Sequence, residues 1–64
     1  MNKVTGNTYP AKTVLTDAGF AWDKDNKAWF GDDVAKLELD RLTRASYSRA
    51  NLNACKGIVI EVVS

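Results

Sequence analysis

Four of the chain's six aromatic residues, Phe20, Trp22, Trp29 and Phe30, fall within eleven positions. That clustering constrains the fold more than any other feature. The segment between them, Asp23-Lys24-Asp25-Asn26-Lys27, is polar. Its Asp-Asn pair suits an Asx-turn or a left-handed residue. Two short aromatic segments around such a turn predict a β-hairpin. Strand alternation places Phe20 and Trp22 on one face, with Ala21 on the other. On the return strand, either Trp29 alone or Ala28 together with Phe30 shares that face; the register stays open. A chain of 64 residues buries only roughly 60% of its unfolded surface, so its large side chains are needed in the core. The expected mixed outcome has Trp22 inside and Trp29 or Phe30 partly outside.

The flanking segments supply helices and outer strands. Lys3 to Thr8 reads as a short strand around Val4 and Thr5, with Gly6-Asn7 as a bend. Thr8-Tyr9-Pro10 reads as a helix entry, since proline is tolerated in a first helical turn. Ala11, Val14, Leu15 and Ala18 then form one apolar stripe, so a helix is predicted over Tyr9 to Ala18. Gly19 occupies the left-handed C′ position, and Phe20 supplies the apolar contact of a Schellman stop. After Gly31, Asp32 is a good N-cap, and Asp33 adds negative charge near a helix start. Val34, Leu37, Arg41 or Leu42, and Ala45 continue a second stripe to about Ser46 or Arg49, with Leu39 off it. Asn51 to Gly57 reads as an exit loop or a frayed final turn, with Gly57 as the stop. Ile58 to Val63 is β-branched almost throughout and predicts an inner strand.

The resulting order is β-α-β-β-α-β in a single domain, residues 1–64. Its natural packing is α+β: one small antiparallel sheet with two helices on one face, the ferredoxin-like split βαβ arrangement. Right-handed crossovers place the first and last strands side by side in the centre. The sheet's other face is then a candidate contact surface or dimer interface.

Composition narrows the chemistry. The sequence has no histidine and one cysteine. Imidazole acid–base chemistry, a histidine triad and an internal disulfide are thereby excluded, and no cofactor or metal is expected. Asp32 and Asp33 are accounted for by capping, without catalysis. Cys55 reads as a semi-buried structural thiol, and Gly6-Asn7-Thr8 is too short for a phosphate loop. No apolar run is long enough to span a bilayer. The N-terminus lacks the apolar stretch of a signal peptide, and the lone thiol suits a reducing, cytoplasmic setting. An enzyme is not expected.

Charge is unevenly distributed. Residues 16–40 hold seven acids against three lysines, whereas residues 41–60 hold Arg41, Arg44, Arg49 and Lys56 with no acid. Arg41, Arg44 and Ser48 or Arg49 recur at near-helical spacing and, with Tyr47, form a candidate ridge for phosphate or for an acidic protein surface. A solvated helix end complementing its own macrodipole has the same composition. Lys24 and Lys27 are further candidates for phosphate contact, although Asp23 and Asp25 beside them cancel much of that field and favour a solvated turn. Asp23 is expected to bond the turn backbone, with Lys27 pairing across the hairpin to it. Trp29 is the candidate exposed aromatic for stacking on a base.

The stretch Gly19-Phe20-Ala21-Trp22-Asp23-Lys24-Asp25-Asn26-Lys27-Ala28-Trp29-Phe30, with the helix before it, resembles a pattern of small bacterial and phage modules. There a helix ends in glycine and is followed by Trp-Asp, a polar turn, Lys, x, and Trp or Tyr. It is also similar to the repeat of HARP-type domains of annealing helicases. Ala21 stands where many HARP-like copies carry arginine. Val4 to Pro10 looks like the opening of small phage-encoded proteins with the same hairpin. The resemblance covers about residues 3–31 and implies a nucleic-acid-associated module. The leading expectation is a non-enzymatic, phage- or prophage-type accessory protein, in the cytoplasm of a bacterial host cell. It would grip the nucleic acid backbone through a basic late helix. One alternative is a protein-binding inhibitor of a host enzyme or bacterial defence complex, anti-CRISPR-like or a host-takeover factor. Another is a homo-oligomeric structural module such as a homodimer.

Overall fold

A computed structural model describes residues 1–63 as β1 (Asn2–Gly6), α1 (Lys12–Ala18), β2 (Ala21–Asp23), β3 (Ala28–Gly31), α2 (Asp33–Leu42), α3 (Arg49–Ala54) and β4 (Ile58–Val62). The fold is α+β, with one four-stranded sheet in the order β2-β3-β1-β4 and antiparallel pairing throughout. β3 lies between β1 and β2, and β1 lies between β3 and β4, so each helical crossover spans one intervening strand. The first and last strands are neighbours, as the sequence predicts. They do not share the centre: β1 and β3 are central and β4 is an edge. Ile58 and Ile60 are half-buried against the core, but Val59 and Val62 are 57% and 79% exposed. A run of β-branched residues predicts a strand; it does not say how many neighbours that strand has.

The stop of α1 follows its glycine. Gly19 sits at φ 105°, which a residue without Cβ adopts readily. The Gly19 N–H donates to Thr16 O (3.1 Å) and the Phe20 N–H to Leu15 O (2.9 Å), the paired bonds of a Schellman motif. Phe20 and Leu15 are both in the core. The helix begins at Lys12 rather than Tyr9, because Thr8 to Ala11 form tight turns in which Ala11 N–H donates to Thr8 O and Lys12 N–H to Tyr9 O. Tyr9 is therefore outside the helix and 85% exposed.

Asp32 caps α2 as expected, its Oδ1 accepting from Ala35 N–H at 2.8 Å. The buried stripe is Ala35, Leu39 and Leu42, while Val34 and Leu37 face solvent. Two stripes at helical spacing compete in this sequence, and packing against α1 and the sheet selects the one through Leu39. The helix ends at Leu42, short of the predicted Ser46 or Arg49. Thr43 follows as the C-cap, its Oγ1 donating back to Leu39 O at 2.8 Å. Ser48 then caps a separate short helix, α3, where an exit loop or a frayed final turn was expected: its Oγ accepts from Asn51 N–H at 3.2 Å. The Asn51 side chain donates to Leu42 O at 2.9 Å, satisfying one of the open carbonyls at the end of α2.

Val4, Leu15 and Leu39 are fully buried at the centre of a core completed by Val14, Ala18, Phe20, Trp29, Ala35 and Leu42. Asn2 is buried beside it. Its amide donates to Gly31 O (3.3 Å) and to Asp33 Oδ1 (3.1 Å), tying β1 to the start of α2. Removing these bonds with Asn2→Ala is expected to cost about 1–3 kcal/mol. Asn2→Asp turns the donor into a carboxylate facing Asp33. It should be less stable than Asn2→Ala at neutral pH, with the gap closing on acidification, in urea unfolding at both pH values.

Candidate functional site

One cross-strand row runs the full width of the sheet on its helix-covered side. Trp22 pairs with Trp29, Trp29 with Val4, and Val4 with Ile60. Trp29 alone, without Ala28 or Phe30, thus shares the face of Trp22, which settles the register. The exposure is the reverse of that expected: Trp29 is 6% exposed and Trp22 49%. Trp29 is consequently a core residue, and Trp22 is the exposed ring of the pair. The two rings meet edge-on, with centroids 5.7 Å apart and planes at 62°, a favoured aromatic geometry. β2 is an edge strand, so nothing covers the outer flank of the Trp22 ring as α1 and α2 cover Trp29.

Two hollows meet at Trp22. The first, about 380 Å³, is lined by Thr8, Tyr9, Lys12, Trp22 and Trp29. That volume lies within the about 300–1,000 Å³ of small-ligand clefts. The turn that displaces the start of α1 to Lys12 brings Tyr9 and Thr8 to this rim. The second hollow, shallower, is lined by Ala21, Trp22, Asp23, Lys24 and Phe30; the Ala21–Phe30 pair belongs to the sheet face opposite the Trp22–Trp29 row. Each hollow contains one lysine. Among the described residues, neither Lys12 nor Lys24 takes part in an ion pair.

The hairpin turn next to the second hollow is held by Asp23. Its Oδ1 accepts from the N–H groups of Asp25 (3.0 Å) and Asn26 (3.2 Å), and its Oδ2 from the Asn26 side chain (3.0 Å). Asp23 therefore bonds the turn as expected. Lys27 does not pair with it across the hairpin; Lys27 instead takes the left-handed position, at φ 50°.

The four candidates Arg41, Arg44, Tyr47 and Arg49 do not share one helix. Arg41 is in the last turn of α2, Arg44 and Tyr47 are in the connection beyond it, and Arg49 opens α3. Arg41 donates from Nε (2.9 Å) and Nη2 to Glu38 Oε1 and lies over the Tyr47 ring, 5.3 Å from its centroid. The hydrogen bonds raise the Arg41 pKa and lower that of Glu38. The macrodipole accounts for Arg41 but not for Arg49, which sits at a helix start. None of these four residues lines either hollow. Of the residues singled out in the sequence, Lys24 and Trp29 line the hollows. Tyr9, Thr8 and Lys12 were missed as site residues, and Trp22 was expected inside. Tyr9 carried a signal: it is a large aromatic outside the apolar stripe of its own segment.

Elsewhere, Asp33 receives the Asn2 amide, and burial pushes the half-buried Cys55 thiol up. Among the described residues no three His, Cys, Asp or Glu side chains converge, and no helix is long and apolar enough to cross a membrane. Comparisons of the chain with protein-family models, curated proteins and solved structures find no match.

The Asp23 hydrogen bonds, the Asn26 side chain first, hold its carboxyl below the usual aspartate range. A carboxyl whose pKa is depressed by folding stabilises above the unfolded pKa, and that contribution is lost as pH falls through the folded value. Carbon-detected NMR titration should find Asp23 titrating low, and Asn26→Ala should move it upward.

Proposed function

We propose that this chain is a non-enzymatic nucleic-acid-binding module that stacks a base against Trp22. The observation that carries the reading is the half-exposed Trp22 ring, set edge-on to a buried Trp29 and flanked by exposed Tyr9 and unpaired Lys12. Stacking on an aromatic side chain is worth about 1–3 kcal/mol per base and tolerates any base. A lysine beside the ring supplies a point charge for the adjoining phosphate. The resemblance of residues 19–30 to HARP-type hairpins and small phage modules supports the same class. The surface differs from the basic late helix: Arg41 is already engaged by Glu38 and Tyr47.

Trp22 and Trp29 are the chain's two tryptophans, so intrinsic fluorescence reports on the groove directly. Single-stranded oligothymidylate should quench it at low salt, and added salt should reverse the effect. By calorimetry, Trp22→Ala should weaken binding about 5- to 100-fold, whereas Arg41→Ala should leave it unchanged. Unaltered affinity in Trp22→Ala would remove this reading.

A second reading, a protein partner or a second copy, rests on a different observation. Edge strand β4 presents exposed Val59 and Val62, and an uncovered apolar edge is a ready template for strand addition. Sedimentation at micromolar concentration should show self-association if the partner is another copy; Val62→Lys should then abolish it.

A further inference from the structure

We infer that β4 pairs antiparallel with β4 of a second copy of this chain, in the one register that sets Ile60 opposite its counterpart. The inference rests on the edge-strand reading, which it commits to a single occupant, and is independent of base stacking. The Val63 N–H donates to Met1 O at 2.8 Å, and the Asn7 N–H donates to Gly57 O at 2.9 Å. The odd-numbered residues of this segment therefore turn their backbone groups toward β1. Direction alternates along a strand, so the groups of Ile58, Ile60 and Val62 point the other way, where the sheet has no further strand. The Ile58 N–H is turned back to Cys55 O at 3.4 Å. Both Ile60 groups, both Val62 groups and the Ile58 carbonyl are left for a further strand.

These bonds are exchanged when outward-facing residues lie opposite one another, so a two-fold axis can pass at Val59, Ile60 or Glu61. At Glu61 it sets two like charges directly opposite, which is destabilising. At Val59 it carries Val62 past the start of the second β4, which begins at Ile58. At Ile60 every outward residue is used. Ile60 exchanges both bonds with its counterpart, and each Val62 N–H reaches the opposite Ile58 carbonyl. The side chains agree: Ile58 meets Val62, 79% exposed in the single chain, on the helix-covered side, and Val59 meets Glu61 on the other. β4 is thus its own complement, with apolar residues at both ends and a charge one place off the centre. Edges are commonly guarded by lysine, proline, a bulge or short length. β4 has five residues, no lysine or proline, and unbroken pairing with β1, and its single charge lies beside Lys3. The opposite edge, β2, is three residues long, and the same alternation turns the Trp22 groups alone outward. β4 on β2 would exchange fewer bonds and build rings or open filaments. β4 on β4 closes as a two-fold dimer, with one continuous sheet and the helices of both copies on the same face.

Sedimentation equilibrium of the intact chain, from low micromolar to millimolar concentration, should show a monomer–dimer equilibrium that Val62→Lys abolishes. Val62 is exposed, so that variant keeps the fold. Cross-linking reads the register in a Cys55→Ser background, whose fold circular dichroism checks. Opposed residues of the Val59–Glu61 type lie about 4.5 Å apart between Cα atoms, within the about 4.4–6.8 Å that a disulfide spans. Val59→Cys and Glu61→Cys, mixed in a glutathione redox buffer, should give the mixed dimer, and neither variant alone should give a dimer. Cross-linking of either variant with itself moves the axis to that residue; it overturns this register and leaves edge pairing standing. A dimer that survives Val62→Lys lies on another surface and overturns the edge-strand reading as well. A monomer at every concentration overturns the pairing of two copies and leaves the edge to a foreign strand. Base stacking stands or falls separately, by the oligothymidylate titration.

Discussion

The cross-strand row of Trp22, Trp29, Val4 and Ile60 organises the helix-covered side of the sheet. In a strand, a slip of one residue sends every side chain to the opposite face. Such a slip of β3 would turn Trp29 out of the core and bring Ala28 and Phe30 in. In the register that forms, Trp29 is in the core, and the pairing of β2 with β3 places Trp22 on the same face. The row has four members but the helices cover its middle. Trp29 and Val4 are buried, while Trp22, at the edge, keeps half its surface in water. The candidate site follows from that geometry: a residue aligned with the core but one strand beyond its cover.

The entrance to α1 completes the groove. Proline has no N–H to donate, and Pro10 sits in the turns from Thr8 to Ala11 that precede the helix. This delay leaves Tyr9 in the open and sets Lys12 on the first helical residue. The Schellman stop at the other end of the same helix delivers Phe20 into the core and aims the chain into β2. Phe20 packs so closely on β3 that a Cβ at Gly31 would lie 2.7 Å from its ring. Both ends of a seven-residue helix thus position the aromatic hairpin.

The distribution of charge along the chain is a poor guide to its distribution in space. The acid-rich and arginine-rich halves meet within α2, where Lys36 pairs with Asp40 and Arg41 with Glu38. Lys3 similarly faces Glu61 across β1 and β4 at 4.0 Å. These pairs are exposed and add little stability. Their consequence is on availability, since a guanidinium already held by a carboxylate and a tyrosine ring is less free to meet a phosphate.

Much of the local structure was legible in the residues themselves. The glycine stop at Gly19, the Asp32 cap, the Asp23 turn and the antiparallel α+β class all rest on bonds between residues close in sequence, or on the alternation of short segments. What was not legible depends on contacts between distant segments. The phase of α2, through Leu39 rather than Leu37, was set by α1. Its end at Leu42 came where a propensity reading continued the helix, with Ser48 capping a separate α3. The edge position of β4 came from the order of strands, and the exchange of roles between Trp22 and Trp29 from which strand the helices cover. Sequence alone therefore determined which segments form and where they turn. Only the tertiary structure decided which side chains water can reach, because exposure belongs to neighbours brought together from across the chain.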